Sequence, residues 1–153
     1  MYLLDTGVVL ELRKAKAGRA DPGLTAWAAG VPRQNLFLSV LTLLELGNVA
    51  ARDKAAAASL QSWIDSQVLP AFEGRIVPVD AAVVRRRARL PYADGRDALL
   101  AATALEHDLY LVTRNVRDVQ HSGVAVFNPW IDDPATCPIQ RRLRTRTVAK
   151  RQI

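Results

Sequence analysis

Three carboxylates stand in apolar surroundings at positions where burial is expected. Asp5 ends a short apolar segment, Glu45 lies early in a long helical pattern, and Asp97 begins another helix. Two carboxylates about 4 Å apart repel each other by roughly 4 kcal/mol at an effective dielectric constant of about 20. If these groups meet, protonation, arginines or a divalent cation must offset the repulsion. Carboxylate oxygens without cysteine favour a hard cation such as Mg²⁺ or Mn²⁺.

Each acid also has an ordinary structural interpretation. Asp5 and Asp97 could cap the helices that follow them. Glu45 could pair with an arginine, and Asp118, which follows the last buried strand by a few residues, could be a turn residue. In a parallel α/β sheet, however, strand ends and helix starts converge on one edge, where ligands bind. Taken together, the four acids therefore predict a ligand-binding site at that edge of the sheet.

The stretch from Asp97 to Asn115 shows how such a site would be built. Its small and apolar residues fall at helical spacing, and the apolar run 109–112 is typical of a strand covered on both faces. Thr113, Arg114 and Asn115 then follow where that strand would end. This stretch therefore offers polar groups at the expected edge from both a helix and a strand.

The rest of the chain alternates strands and helices. Further strands are predicted at 2–4, 36–40, 75–79 and 123–127, and helices at 8–16, 22–29, 41–67 and 80–89. A turn near Asp53 would divide the long pattern at 41–67. The alternation predicts an α/β fold with a parallel or mostly parallel sheet.

Size and composition indicate a single globular domain. The chain has 153 residues, half of them apolar, and one cysteine, Cys137, which excludes an internal disulfide and a multi-cysteine zinc site. Asp5 and Glu11 interrupt the region where a signal peptide would be apolar, and no apolar run is long enough to span a membrane. We therefore expect a cytoplasmic protein without membrane contact.

The net charge of +6 belongs to the C-terminus. Six of the 21 basic residues lie within residues 139–153, which contain no acid, so the rest of the chain balances 15 basic against 15 acidic residues. We expect a domain at residues 1–131 and a disordered basic tail at residues 132–153.

Four segments resemble bacterial PIN-domain proteins, above all the VapC toxins of type II toxin–antitoxin modules, including their FitB-like branch. They are MYLLDTGVVLEL, LSVLTLLELGNV, RDALLAATALEHDLYLVTRNVRDV and GVAVFNPW. The resemblance covers the chain to about residue 131, in the family's order and spacing. It implies a three-layer α/β/α sandwich with a mostly parallel central sheet, and an Mg²⁺- or Mn²⁺-dependent endoribonuclease.

The resemblance also implies roles for individual residues. The family's catalytic and metal-binding acids map onto Asp5, Glu45 and Asp97. The fourth catalytic position falls on Asn115, with Asp118 three residues further on.

Neighbouring residues are candidates for binding the substrate. Thr6 and Thr113 could donate hydrogen bonds to a carboxylate or a phosphate, or make ordinary helix-start and strand-end bonds, while Arg114 could contact phosphate. Gly7 departs from the family, which usually carries asparagine there.

The implied partners are an RNA substrate and a VapB-type antitoxin that neutralises the toxin. We expect a homodimer within a hetero-oligomer that contacts operator DNA only through the antitoxin. An antitoxin helix is expected in a groove near Leu12, Trp27, Leu43 and Leu60, although these residues would also suit the core.

Two other functions remain open on the sequence. One is a catalytically weak or inactive PIN-domain module that acts through an antitoxin–operator DNA complex, which the residues at Gly7 and Asn115 allow. The other is a phosphohydrolase with Asp5 as nucleophile, which is disfavoured because no second aspartate follows two residues later.

Overall fold

A five-stranded parallel sheet forms the centre of the computed structural model, which describes residues 1–91 and 95–133. The strand order is β3-β2-β1-β4-β5, and every neighbouring pair is parallel. The strands are β1 (Tyr2–Leu4), β2 (Leu36–Ser39), β3 (Ile76–Val77), β4 (Tyr110–Val112) and β5 (Val126–Phe127). The predicted basic tail lies outside the described residues, except for positions 132 and 133.

Helices connect the strands. They are α1 (Thr6–Arg13), α2 (Pro22–Gly30), α3 (Val40–Arg52), α4 (Ala57–Trp63), α5 (Leu69–Ala71), α6 (Ala81–Arg87), α7 (Gly95–Glu106) and α8 (Val116–Val119). Among the described residues, none of the helices is long and apolar enough to cross a membrane.

Two hydrophobic cores lie on opposite faces of the sheet. In β1, Tyr2 and Leu4 belong to one core while Leu3 belongs to the other, as the alternation of side chains along a strand requires. The first core includes buried residues of α1 to α4, and the second includes those of α7 and α8. This arrangement confirms the predicted three-layer α/β/α fold.

Polar residues at the strand ends begin the helices next to the sheet. The Asp5 carboxylate accepts a hydrogen bond from the Gly7 backbone N–H at 2.6 Å, and Ser39 Oγ accepts one from the Leu41 N–H at 3.1 Å. Such caps satisfy backbone donors that the first helical turn leaves without partners. Consequently α1 and α3 both start at the carboxyl edge of the sheet.

The long helical pattern at 41–67 is divided, and the division lies at the suspected turn. α3 ends at Arg52, and Asp53 Oδ1 accepts hydrogen bonds from the backbone N–H groups of Ala55 and Ala56 at 3.1 and 3.2 Å. An aspartate bonded to the backbone just beyond it stabilises a turn in place of a helix.

Two strands are shorter than the sequence predicts by three residues each. The strand predicted at 123–127 begins only at Val126, because Gly123 has φ +74° and forms a turn. The strand predicted at 75–79 is limited to Ile76–Val77. Neither difference moves the residues that follow β1, β2 and β4.

The fold predicts a sharp difference between two leucines of α3. Leu46 is fully buried, whereas Leu44 is 60% exposed. Leu46→Ala should lower the free energy of unfolding by about 2–5 kcal/mol, because it leaves a cavity in the first core. Leu44→Ala should change it by no more than about 0.5 kcal/mol. Urea denaturation of both variants measures this, and similar losses would contradict the assigned orientation of α3.

Candidate functional site

The predicted site lies at the point where the order of strands in the sheet reverses. From β1 the chain continues to β2 and β3 on one side and returns as β4 on the other, so β1 and β4 form the switch point of the topology. Asp5 follows β1 and Thr113 follows β4. The Asp5 backbone N–H donates to the Val112 carbonyl at 3.1 Å, and Thr113 Oγ1 donates to Asp5 Oδ2 at 2.5 Å.

The Asp5 carboxylate is held from both sides. Its Oδ1 accepts from the Gly7 N–H, while its Oδ2 accepts from the buried Thr113 hydroxyl. Thr113 Oγ1 in turn accepts from the Asn115 N–H at 3.0 Å, so this hydroxyl uses its donor and an acceptor position at once. These bonds fix the rotamer of Asp5 and join it to the start of α8.

Glu45 reaches the same edge from α3. Thr42, one helical turn earlier, donates to the Leu4 carbonyl at 3.2 Å and thereby anchors α3 to the end of β1. Thr6 Oγ1 donates to Glu45 Oε2. Because Thr6 follows Asp5 directly, this bond brings Glu45 next to the pair of residues that follows β1. The two threonine hydroxyls therefore bond carboxylates, one of the roles that the sequence offered for them.

Asp97 lies in the first turn of α7. Arg96, the residue before it, is a functional candidate that the sequence analysis did not identify. The guanidinium of Arg96 pairs through Nη1 with Glu45 Oε1 and through Nη2 with Asp97 Oδ1, the latter at 3.0 Å. Arg96 thus joins the carboxylates of α3 and α7. In the sequence, the only indication of this role is that a basic residue directly precedes Asp97.

The three acids and their partners form a continuous chain of contacts. It runs from Thr113 to Asp5, through the peptide bond to Thr6, and then through side-chain contacts to Glu45, Arg96 and Asp97. The carboxylates carry three negative charges and Arg96 contributes one positive charge, which leaves two negative charges. We call this chain the acidic cluster.

The donor atoms suit a hard divalent cation, but the present conformation does not assemble them around one. In the part of the chain that the structure describes, no group of three or more His, Cys, Asp or Glu side chains could hold a metal ion. Arg96 instead lies against Glu45 and Asp97. The assignment of Asp5, Glu45 and Asp97 as metal ligands therefore stays a prediction.

The other predicted site residues differ in their placement. Asn115 precedes α8, with its backbone bonded to Thr113 and its side chain exposed. Asp118 is exposed within α8. Arg114 is exposed and its guanidinium carbon lies 5.6 Å from the ring centroid of Trp130, a cation–π geometry. The structure thus links Asn115 to the acidic cluster through Thr113, whereas Arg114 lies over the Trp130 ring.

Gly7 leaves room for a side chain. A Cβ atom built at this position would meet Asp5 Oδ1 at 3.6 Å, an ordinary van der Waals distance. The departure from the family's asparagine therefore reflects no steric requirement for glycine in this protein.

A separate groove of about 430 Å³ lies on the face of α1. Its floor is apolar and its rim is basic. The lining includes Leu12, Trp63, Val68 and Phe72 on the floor and Arg13, Lys16, Arg33 and Arg75 around it.

Only part of the predicted partner groove coincides with it. Leu12 lines the groove, but Trp27 and Leu60 are buried in the first core and therefore cannot offer a contact surface. Leu43 packs against the same core. Helical periodicity could not separate core from groove here because both lie on the same side of the sheet.

Comparison with known proteins supports a family assignment. The PIN domain family model matches residues 2–121. The chain is 33% identical to the VapC ribonuclease Y4jK of Sinorhizobium fredii over 140 residues, which cover 85% of this chain and 98% of that protein.

Two solved structures share the fold and a substantial part of the sequence. FitAcB from Neisseria gonorrhoeae is similar with a TM-score of 0.78 and 30% identity, over 86% of this chain and 100% of that one. FitAB bound to an IR36 DNA fragment is similar with a TM-score of 0.76 and 28% identity, over 87% and 98%.

The geometry around Asp5 predicts a specific role for the Thr113 hydroxyl. Thr113→Val keeps the shape but removes a hydrogen bond to a charged group, which should lower the free energy of unfolding by about 1.5–3 kcal/mol. Thr103→Val is the matched control, because the buried Thr103 hydroxyl donates only to the Leu99 carbonyl of its own helix at 2.7 Å. It should cost about 0.5–1.5 kcal/mol. Equal losses in urea denaturation would show that the bond to Asp5 carries no special weight.

Proposed function

Because this chain belongs to the PIN-domain family, we propose that it is a metal-dependent endoribonuclease toxin, neutralised by a cognate antitoxin. The observation that carries the proposal is the acidic cluster at the switch point of the sheet, where Arg96 bridges Glu45 and Asp97 and where Thr6, which bonds Glu45, directly follows Asp5. The ribonuclease name of the Sinorhizobium relative supports the same activity.

Asp5, Asp97 and Glu45 are the residues that would hold Mg²⁺ or Mn²⁺. Their oxygen donors match both ions, and the acidic cluster keeps a net negative charge even with Arg96 beside it. When bound, such an ion lowers the pKa of a water molecule and polarises the scissile phosphate.

The remaining residues prepare the site for that chemistry. Thr113 and the Gly7 N–H orient Asp5, and Thr6 bonds one oxygen of Glu45, so both carboxylates are partly positioned before substrate arrives. Glu45 either completes the ligand set or orients the attacking water. Asn115 and Asp118 are the remaining candidates for the fourth catalytic position, and the link through Thr113 favours Asn115.

Arg114 suits contact with an RNA phosphate. Its side chain is exposed, and stacking on Trp130 restricts its guanidinium while leaving the donors accessible.

A VapB-type antitoxin is the proposed partner, because the structural neighbours at 28–30% identity are FitAcB and FitAB, and the second is bound to DNA. This chain would reach operator DNA only through its antitoxin, as a homodimer within a larger complex. The groove on α1 offers an apolar floor for the antitoxin, and its basic rim favours a segment that carries acidic residues beside its apolar ones.

A second candidate function rests on Gly7. The family's asparagine would lie beside Asp5, and its absence is compatible with a catalytically weak module that acts through the antitoxin–DNA complex. Metal titration separates the two functions. A panel of labelled structured RNAs is incubated with the antitoxin-free protein in EDTA and in increasing Mg²⁺ or Mn²⁺. Cleavage that depends on the metal supports the toxin, whereas metal binding without cleavage supports the weak module.

We expect Asp5→Asn and Asp97→Asn each to lower metal-dependent RNA cleavage by at least roughly 100-fold, the upper end of what an outer-shell change costs. Each removes one negative charge from the acidic cluster. Asp65→Asn is the control, because Asp65 is exposed and its carboxylate accepts a hydrogen bond from the Gln61 side chain, outside the acidic cluster. Rates are compared at saturating Mg²⁺, and wild-type cleavage by either cluster variant would refute the site assignment.

For the groove, Trp63→Ala should weaken antitoxin binding by about 2 kcal/mol or more, as expected for an aromatic residue in an interface pocket. Lys16→Glu should weaken it as well if the antitoxin segment is acidic. Arg85→Glu on α6 is the charge-matched control, since α6 is not part of the groove. Affinity is measured by calorimetry with the protein encoded by the neighbouring reading frame. Unchanged affinity for Trp63→Ala would place the antitoxin elsewhere.

A further inference from the structure

Arg96 makes two ion pairs inside the acidic cluster. Its Nη1 contacts Glu45 Oε1 and its Nη2 contacts Asp97 Oδ1, so one guanidinium spans carboxylates from two different helices. The carboxylate side chains are 17% and 24% exposed, whereas the Arg96 side chain is 53% exposed. The two carboxylates are therefore mostly buried, whereas the arginine side chain is largely exposed to solvent.

These contacts use the oxygens that a metal would need. Glu45 Oε1 is paired with Arg96 and Glu45 Oε2 accepts from Thr6, so both oxygens already have partners. Asp97 Oδ1 is also paired with Arg96, through its Nη2. A cation cannot gather Glu45 and Asp97 around itself while the guanidinium remains between them, which agrees with the lack of any metal-binding acid group within residues 1–91 and 95–133.

We infer that Arg96 is the internal counter-cation of the acidic cluster and competes with the divalent metal for Glu45 and Asp97. It holds the two carboxylates together when the metal is absent, and its side chain moves out when the metal binds. Its position in the first turn of α7 and its exposure let it move without unpacking the core. Arg96 is thus a positioning residue, and the inference rests on the proposed metal site.

The competition has two consequences. Removing the positive charge should strengthen metal binding, because the metal no longer displaces an ion pair and meets one more uncompensated charge. It should also destabilise the metal-free protein, because Glu45 and Asp97 then repel each other without an intervening cation. A residue that served only to stabilise the fold would show the second effect and not the first.

The test is a titration of the antitoxin-free protein with Mn²⁺ alone, read by the electron paramagnetic resonance signal of free Mn²⁺. Arg96→Gln should lower the Kd for Mn²⁺ about five- to tenfold, which is the effect of losing up to two partly exposed ion pairs. Arg85→Gln removes the same charge from an exposed position of α6 and should leave the Kd unchanged. In EDTA, Arg96→Gln should melt at a lower temperature than Arg85→Gln, and its melting temperature should rise more on saturation with Mn²⁺.

A Kd for Arg96→Gln equal to that of Arg85→Gln overturns the inference but leaves the proposed function intact if wild-type protein still binds Mn²⁺ and cleaves RNA. Failure of the wild-type protein to bind Mn²⁺ overturns both.

The wild-type protein also provides a test that needs no stable variant. The guanidinium signals of Arg96 in ¹⁵N NMR, assigned through Arg96→Lys, should shift when Mg²⁺ is added. Signals that stay unchanged at saturating Mg²⁺ contradict the displacement of Arg96.

Discussion

The parallel pairing of β1 with β4 is the constraint on which the site depends. It joins the Asp5 N–H to the Val112 carbonyl and brings the Thr113 hydroxyl to the Asp5 carboxylate, although more than 100 residues separate the two. Because the chain leaves β1 towards one side of the sheet and returns as β4 on the other, the two connections diverge at this edge. The same opening admits Glu45 from α3 and Asp97 from α7, so the topology alone creates a polar crevice above an apolar sheet.

Like-charge repulsion is the second physical theme. Three carboxylates at one edge would oppose folding unless other groups offset their charge. The protein uses hydroxyl and amide donors for Asp5, a hydroxyl for Glu45, and the Arg96 guanidinium for Glu45 and Asp97. These partners offset the repulsion only in part, and two formal negative charges remain. A divalent cation that replaces Arg96 would offset more of this charge than one guanidinium does.

Much of this arrangement could be predicted from the sequence because it depends on periodicity and chain order. The strand-helix alternation gave the parallel sheet, and the position of Asp5 and Asp97 at element boundaries placed them at its carboxyl edge. The contacts of Arg96 could not be predicted, since a pairing between the first turn of α7 and the middle of α3 depends on how helices pack across the sheet. For the same reason, the sequence could not show that Trp27 and Leu60 are buried in the core and do not line the groove. The split of the long helix at Asp53 was suspected, but its position follows from local bonds that periodicity does not reveal.

If the acidic cluster is a metal site, binding of a divalent ion displaces Arg96 from Glu45 and Asp97. Anomalous diffraction from crystals grown with Mn²⁺ tests it most directly, because the ion and the arginine are then located in one experiment. We expect an anomalous peak bound by oxygens of Asp5 and Asp97, with the Arg96 guanidinium no longer between Glu45 and Asp97. A protein that cleaves RNA in Mn²⁺ but shows its ion elsewhere, with both Arg96 ion pairs intact, would contradict it.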